Sequence, residues 1–65
     1  MLIVRVNLLA GRTDEQKEQL HGELAQLAGR TFGVSAADVR TVLVEYPARH
    51  WGIGGVSVAH RRSGA

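Results

Sequence analysis

The chain has 65 residues, enough for one small domain, and contains no cysteine, which excludes disulfide cross-links and thiolate metal sites. Its apolar share of 45% and charged share of 22% are ordinary for a globular protein and unlike those of a disordered chain. The net charge of +2 comes from scattered basic residues, so nucleic-acid binding is not indicated, and no apolar run approaches the ~20 residues of a membrane span.

The first predicted element is a β-strand at Leu2–Leu9. Its even-numbered residues form a wholly apolar face and its odd-numbered residues a mixed one, which indicates burial on both faces. Arg5 interrupts the opening apolar run, which is therefore too short for a signal peptide. We accordingly expect a cytoplasmic location. A short loop at residues 10–13 leads to the next element.

A helix is predicted at Asp14–Phe32. Thr13 and Gln16 have the spacing of a capping box, in which each side chain accepts a hydrogen bond from the backbone amide of the other residue. Gly33 stands where helices commonly end in a left-handed conformation. Between these ends, apolar residues recur at helical spacing and form one stripe. The stripe consists of Leu20, Leu24, Leu27, Ala28 and Thr31 or Phe32.

A second strand is predicted at Val39–Tyr46, after a single turn at residues 35–38. The segment is rich in β-branched residues, and Pro47 cannot donate to a sheet ladder. Strand, helix and strand form a βαβ unit with parallel strands and a right-handed crossover. The glycine-rich segment at residues 51–58 predicts a short hairpin, and residues 60–65 predict a polar, mobile tail.

These elements predict an α/β fold with a single domain spanning residues 1–65. A two-stranded sheet is not stable alone, and one helix can cover only one of its faces. The other face retains Ile3, Leu9 and part of the second strand. We therefore expect a homo-oligomer with rotational symmetry, in which sheets of different subunits pack together and the C-terminal hairpin lies near a subunit boundary.

Three segments of the sequence resemble the 4-oxalocrotonate tautomerase type of the tautomerase superfamily. They are L-L-A-G-R-T-D-E-Q-K at residues 8–17, G-V-S-A-A-D-V-R at residues 33–40 and H-W-G-I-G-G at residues 50–55. The resemblance implies a βαβ protomer with a C-terminal hairpin, usually assembled as a hexamer with sites lined by several subunits. It also implies isomerisation of enol and keto acids without a metal or a cofactor.

The resemblance further implies a general base that this sequence lacks. In the family, the base is the amine of an N-terminal proline, exposed when the initiator methionine is removed. Counting back from Gly11 and Arg12 places Leu2 at that position. Because methionine is normally kept before a bulky residue, we expect Met1 to be retained and to carry the nearest free amine.

By motif match, the other site residues of the family fall on Arg12, Arg40 and Trp51. A guanidinium presents paired donors that match a carboxylate. Two of them near one pocket could hold a dicarboxylate, or one carboxylate and a developing enolate oxygen. Trp51 would supply an apolar wall that keeps an amine neutral by desolvation.

Each of these residues also has a plainer interpretation. Arg12 could be a solvated loop residue, Arg40 an ion-pair partner at a sheet edge, and Trp51 an interface anchor. Surface, ion-pair or capping roles are favoured for the remaining polar candidates, which are His21, Asp38, Glu45 and His50.

Three functions therefore remain open. The first is a weak or diverged isomerase in which the Met1 amine, a water or another residue acts as the base. One extra residue displaces the amine by ~3.3 Å along a strand, and a misplacement of about 1 Å can cost on the order of a hundredfold in rate. The second is a module that binds small carboxylates without chemistry. The third is a structural subunit in a mixed oligomer with a proline-bearing paralogue.

Overall fold

The structure is a computed structural model that describes residues 1–64. Ala65, the last residue of the predicted tail, lies outside the described residues. The predicted bounds of both long strands and of the long helix are confirmed, and single helical turns at Ala36–Asp38 and Ala48–His50 flank the second strand. In chain order, the elements are β1 (Leu2–Leu9), α1 (Asp14–Phe32), β2 (Val39–Tyr46), β3 (Gly52–Ile53), β4 (Val56–Ser57) and α2 (Val58–Arg62).

Helix α1 begins and ends at the residues that the sequence indicates. The amide of Gln16 donates to Oγ1 of Thr13 at 3.1 Å, and the amide of Thr13 donates to Oε1 of Gln16 at 3.0 Å. Gly33 ends the helix with a φ of 69°, and its N–H donates to the carbonyl of Gly29. Local hydrogen bonds therefore define both ends of the helix.

Strands β1 and β2 pair in parallel, from Leu2 beside Val39 to Leu9 beside Tyr46. Because successive side chains alternate between faces, the even residues of β1 share one face with the odd residues of β2. Helix α1 lies over that face and packs mainly against β2. The helix is antiparallel to the strands, so it starts where they end and ends where they start.

Contacts between the helix and the covered face are polar as well as apolar. Nδ1 of His21 lies 2.5 Å from Oγ1 of Thr41, under the helix. The apolar stripe is only partly covered, because Leu27 is 53% and Phe32 is 66% exposed. The buried apolar side chains among the described residues are Ala28, Val39 and Val58. A core this small leaves the single chain short of apolar burial.

The opposite face of the sheet, called the open face below, has no layer over it in the single chain. Ile3 is 64% exposed and Val42 is 41% exposed. Arg5 and Arg40 lie on the same face and are also exposed. A sheet face of this kind ordinarily packs against a second layer, so the structure agrees with the expectation that the chain needs a partner surface.

The predicted hairpin at residues 51–58 is confirmed as β3 paired antiparallel with β4. Its two turn residues, Gly54 and Gly55, have φ angles of 59° and 85°. A tight turn with two positive φ angles favours glycine at both positions.

The predicted tail is wrong for residues 60–62, which belong to helix α2. Oγ of Ser57 accepts from the amide of His60 at 3.1 Å and caps this helix. The amide of Val58 donates to the carbonyl of Trp51 at 2.8 Å, so the helix folds back on the turn before the hairpin. Neither helix in residues 1–64 has the length and apolar character of a membrane span.

Candidate active site

The candidate site residues from the sequence divide between the two ends of the parallel sheet. Met1, Leu2 and Arg40 lie where β1 and β2 start, and Leu2 and Arg40 occupy adjacent rungs of the strand pairing. Arg12 and Trp51 follow the ends of β1 and β2. At ~3.3 Å per residue, the eight-residue strand β1 separates the two groups by roughly 23 Å within one chain.

The start of the strands is an open end of the molecule. Met1 is 88% exposed, whereas Leu2 is half-buried and faces helix α1. Arg40 lies on the open face, and its Nη1 donates to the carbonyl of Ala37 at 3.0 Å. This bond ties the guanidinium to the turn before β2. A guanidinium has five N–H donors, so the others are available to an anion.

Arg12 lies at the opposite end and on the helix side of the sheet. Gly11 precedes it with a φ of 131°, a backbone conformation that favours glycine and turns the chain from β1 towards α1. The side chain borders a cleft of about 290 Å³ between the end of β1 and the first half of α1. The other residues around this cleft include Leu8, Gln16, Lys17, Leu20 and Glu23.

Lys17 links helix α1 to strand β2 beside this cleft. Its Nζ donates to Oε1 of Glu45 at 2.8 Å and lies 3.4 Å from Oδ1 of Asp14. The hydrogen bond to Glu45 is the main cause that raises the pKa of Lys17 above its usual 10.5, so the ammonium is charged at neutral pH. The ion-paired interpretation of Glu45 is therefore confirmed.

Trp51 lies beyond the end of β2, against the open side of the sheet. Its ring meets the Tyr46 ring edge-on, with centroids 5.8 Å apart and an interplanar angle of 79°. The hydroxyl of Tyr46 donates to Oδ1 of Asn7 at 3.2 Å. Both residues border a shallow cavity of about 340 Å³ together with His50 and Trp51.

Asn7 and Tyr46 were not predicted from the sequence as candidate site residues. A signal was available, because strand alternation places residue 7 of β1 and residue 46 of β2 on the same face. Only the parallel register shows that the two lie near the same end of that face. Their hydrogen bond gives the Trp51 cavity a polar wall beside its aromatic one.

One chain cannot present both arginines to one small ligand. Arg12 and Arg40 lie at opposite ends and on opposite sides of the same sheet. A cavity that holds both guanidinium groups therefore needs residues from more than one subunit. Within residues 1–64, no three His, Asp or Glu side chains gather as a set of metal ligands.

Comparison with known proteins identifies the family. The family described as "Tautomerase enzyme" matches residues 3–61. The chain belongs to the tautomerase family. A probable tautomerase of Ralstonia nicotianae is 45% identical over 56 residues, which are 86% of this chain and 80% of that protein. The 2-hydroxymuconate tautomerase of Stutzerimonas stutzeri is 40% identical over 57 residues, 88% of this chain and 90% of the relative.

A solved structure supports the same assignment. A chain of the heterohexamer 4-oxalocrotonate tautomerase from Chloroflexus aurantiacus matches with a TM-score of 0.86 and 42% identity, over 91% of this chain and 95% of the other. The predicted fold of this tautomerase-family chain is thereby confirmed: a parallel two-stranded sheet, one long helix and a C-terminal hairpin.

Proposed function

We propose that the protein is a cofactor-independent isomerase of small enol and keto carboxylates, with low or altered activity and with sites assembled from several subunits. The observation that carries the proposal is the pair Arg12 and Arg40 in a tautomerase-family chain. A tautomerase moves a proton between carbon and oxygen, so it needs a base, a group that stabilises the enolate oxygen, and a group that holds the carboxylate.

The two arginines supply the second and third of these needs. One guanidinium binds the carboxylate through paired N–H donors, and the other stabilises charge on the enolate oxygen. Since Arg12 and Arg40 are about one strand length apart in a single chain, they meet only between subunits. The exposed Ile3 and Val42 on the open face support an oligomer, and the Chloroflexus relative is a hexamer. We infer a hexamer for this protein as well.

The Met1 amine is the proposed base. It takes the proton from the enol hydroxyl and returns one to carbon, while Trp51 of a neighbouring subunit excludes water from the pocket. Leu2 stands at the position that the family resemblance gives to a proline, and it moves the amine one residue outwards. The expected activity is therefore low.

A second candidate function follows from Leu2. A chain with a displaced base can still supply Arg12, Arg40 and Trp51 to a neighbour that has the proline. The similar Chloroflexus protein is a heterohexamer, which favours a mixed oligomer with a proline-bearing paralogue. The remaining candidate is a module whose arginine pocket binds small carboxylates without catalysis.

The deciding experiment is an assay of the purified chain with a small enol dicarboxylate such as 2-hydroxymuconate. We expect ketonisation above the buffer rate, and a lower rate for Arg12→Ala and for Arg40→Ala. Arg30→Ala, which removes an exposed arginine from the last turn of α1, is the matched control and should leave the rate unchanged. A rate equal to that of buffer would refute the isomerase proposal.

Two further measurements separate the remaining candidates. Calorimetry with an unreactive dicarboxylate detects the binding module, whose signal should disappear in both arginine variants. Co-expression with a proline-bearing relative, followed by native mass spectrometry, detects the mixed oligomer. Intact mass shows whether Met1 is retained.

A further inference from the structure

The open face of the sheet carries charge of one sign only. Strand alternation places eight side chains of β1 and β2 on this face, and Arg5 and Arg40 are the only charged residues among them. Glu45 is the one acidic residue in β1 and β2. It lies on the helix side of the sheet and is paired with Lys17 at 2.8 Å. The face therefore has two positive charges and no negative one.

The two arginines are close neighbours in the strand register. Arg5 pairs with Val42, and Arg40 pairs with Ile3, so the guanidinium-bearing residues are diagonal neighbours whose Cα atoms lie about 7–8 Å apart. We call these four residues the cationic patch. It combines two charges with two exposed apolar side chains, which are 64% exposed at Ile3 and 41% exposed at Val42.

No acidic group of the described chain neutralises the cationic patch. The ion pairs in residues 1–64 involve Lys17 alone. Arg40 donates to the carbonyl of Ala37. This hydrogen bond satisfies one N–H group but does not neutralise the positive charge of the guanidinium. Asp38 lies just before β2, at the rim of the sheet, and makes no ion pair with either arginine.

The apolar half of the patch requires cover, and its charges restrict what can cover it. A second copy that packs its open face against this one brings its own Arg5 and Arg40, and that face contributes no acidic residue. Like charges in contact and a buried charge without a partner are both unfavourable. A facing sheet with an aspartate or glutamate instead forms charge-assisted hydrogen bonds with the guanidinium of Arg5, which leaves Arg40 for the proposed substrate.

We propose that the open face binds a chain of the same βαβ build whose facing strands carry aspartate or glutamate, in preference to a second copy of itself. This inference rests on the mixed oligomer proposed above and specifies the chemistry of the partner. Arg5 determines whether an acidic partner or a second copy is preferred, because it is the charged residue of this face that has no part in the proposed catalysis. The repulsion between copies excludes the wrong partner, and the ion pair selects the right one.

A charge-reversed form of this chain provides an acidic partner with the same backbone. The double variant Arg5→Glu/Arg40→Glu converts the patch from two positive to two negative charges. In sedimentation at 50 mM salt, we expect a 1:1 mixture with wild type to assemble at a concentration at least about tenfold lower than either chain alone. At 500 mM salt, the difference should shrink, because salt screens partly exposed charges.

The matched control is Arg30→Glu/Arg49→Glu, which changes the same number of exposed arginines at positions outside β1 and β2. Its mixture with wild type should show no such gain. The inference is overturned if wild type alone assembles as tightly as the mixture at 50 mM salt, or if the control pair gains equally. Should the acidic variant fail to fold by circular dichroism, Arg5→Gln must still self-associate more tightly than wild type.

Failure of this inference differs from failure of the mixed oligomer. Capture of a proline-bearing paralogue whose facing strands carry no acid would overturn the inference and leave the mixed oligomer standing. Preferential pairing with the charge-reversed chain, together with no capture of any paralogue, would establish the charge preference of the open face but refute the mixed oligomer as its natural use.

Discussion

The two ends of the parallel sheet are held by different kinds of interaction. Where the strands end, side-chain polar bonds predominate: the Thr13 cap fixes the start of α1, and Lys17 joins the helix to Glu45 of β2. Arg12 lies between the cap and the end of β1. The local backbone at this end is therefore fixed by bonds that a single substitution can remove.

Where the strands start, the chain is held by close backbone packing. A Cβ on Gly29 would lie 2.8 Å from the carbonyl oxygen of Val34, so the end of α1 touches the segment that leads to β2. Arg40 is bonded to the carbonyl of Ala37 in the same region. This end allows little change in volume, whereas its N-terminal residue, Met1, is 88% exposed.

Neither end of a single chain holds all the residues of the proposed site. The start has an amine and one arginine, and the end has the other arginine and an aromatic wall. Rotational symmetry can bring the start of one subunit against the end of another. Each of the following experiments perturbs one of the two ends.

The largest expected effects come from the arginines. Arg12→Ala and Arg40→Ala should each lower kcat/KM by roughly ten- to a hundredfold, because a hydrogen bond to a charged group contributes about 1.5–3 kcal/mol. If each site takes one arginine from each of two subunits, refolding both variants together in equal amounts should restore about a quarter of the sites. A mixture no more active than either variant would show that the arginines do not meet between subunits.

The next effect concerns the start of the strands. Leu2→Pro should permit removal of Met1 and place a secondary amine at the end of β1. We expect activity on a simple enol acid to rise by about tenfold to a hundredfold, because a misplacement of about 1 Å in the reacting groups can cost on the order of a hundredfold in rate. Intact mass must first show the loss of Met1.

Leu2→Ala is the companion variant to Leu2→Pro. It also permits loss of Met1 but leaves a primary amine at the same place, so it separates placement from amine type. A processed, folded Leu2→Pro protein without any gain would mean that the pocket itself has diverged.

A smaller effect, on stability, tests the close packing at the same end. Gly29→Ala forces a Cβ against a backbone carbonyl and should destabilise the protein by about 1–3 kcal/mol. Gly22→Ala lies in the same helix with no atom within 4 Å of the added Cβ, and it should stabilise by up to about 1 kcal/mol. Urea unfolding measures both. Equal responses would contradict the close contact at Gly29.

The smallest effect belongs to the ion pair at the opposite end. The pKa of Lys17 is raised above 10.5 in the folded protein, so its contribution to stability is complete below that pH and is lost as the pH rises through the folded pKa. Lys17→Met should therefore be slightly less stable than wild type at pH 7. The difference should disappear in strongly alkaline buffer, and a difference that stays constant would contradict the role of the charge.

Much of the fold could be predicted because its ends are marked by local chemistry. The Thr13 capping box, Gly33 and Pro47 delimit α1 and β2 in the sequence, and the structure has the same bounds. Helix α2 was missed because its five residues are too few to show a helical repeat. Its first residue is fixed by a contact outside the helix, the hydrogen bond from the amide of Val58 to the carbonyl of Trp51.

Less of the candidate site than of the fold could be predicted from the sequence. The identities of Arg12, Arg40 and Trp51 came from a family resemblance, and their catalytic roles remain predictions. Their separation follows only from the parallel pairing, which sends the residue after β1 and the residue that opens β2 to opposite ends. The charge on the open face likewise emerged only when the register showed which residues share it.

The parallel register also has a consequence for folding during synthesis. Each residue of β1 pairs with the residue 37 positions later, from Leu2 with Val39 to Leu9 with Tyr46. At about 5–20 residues per second, β1 therefore leaves the ribosome roughly 2–7 s before its partner strand is made. During that interval α1 can form, but the strand that it mainly contacts in the folded chain is β2. Both β1 and the apolar stripe of α1 therefore wait for the synthesis of β2 before they gain their main partner.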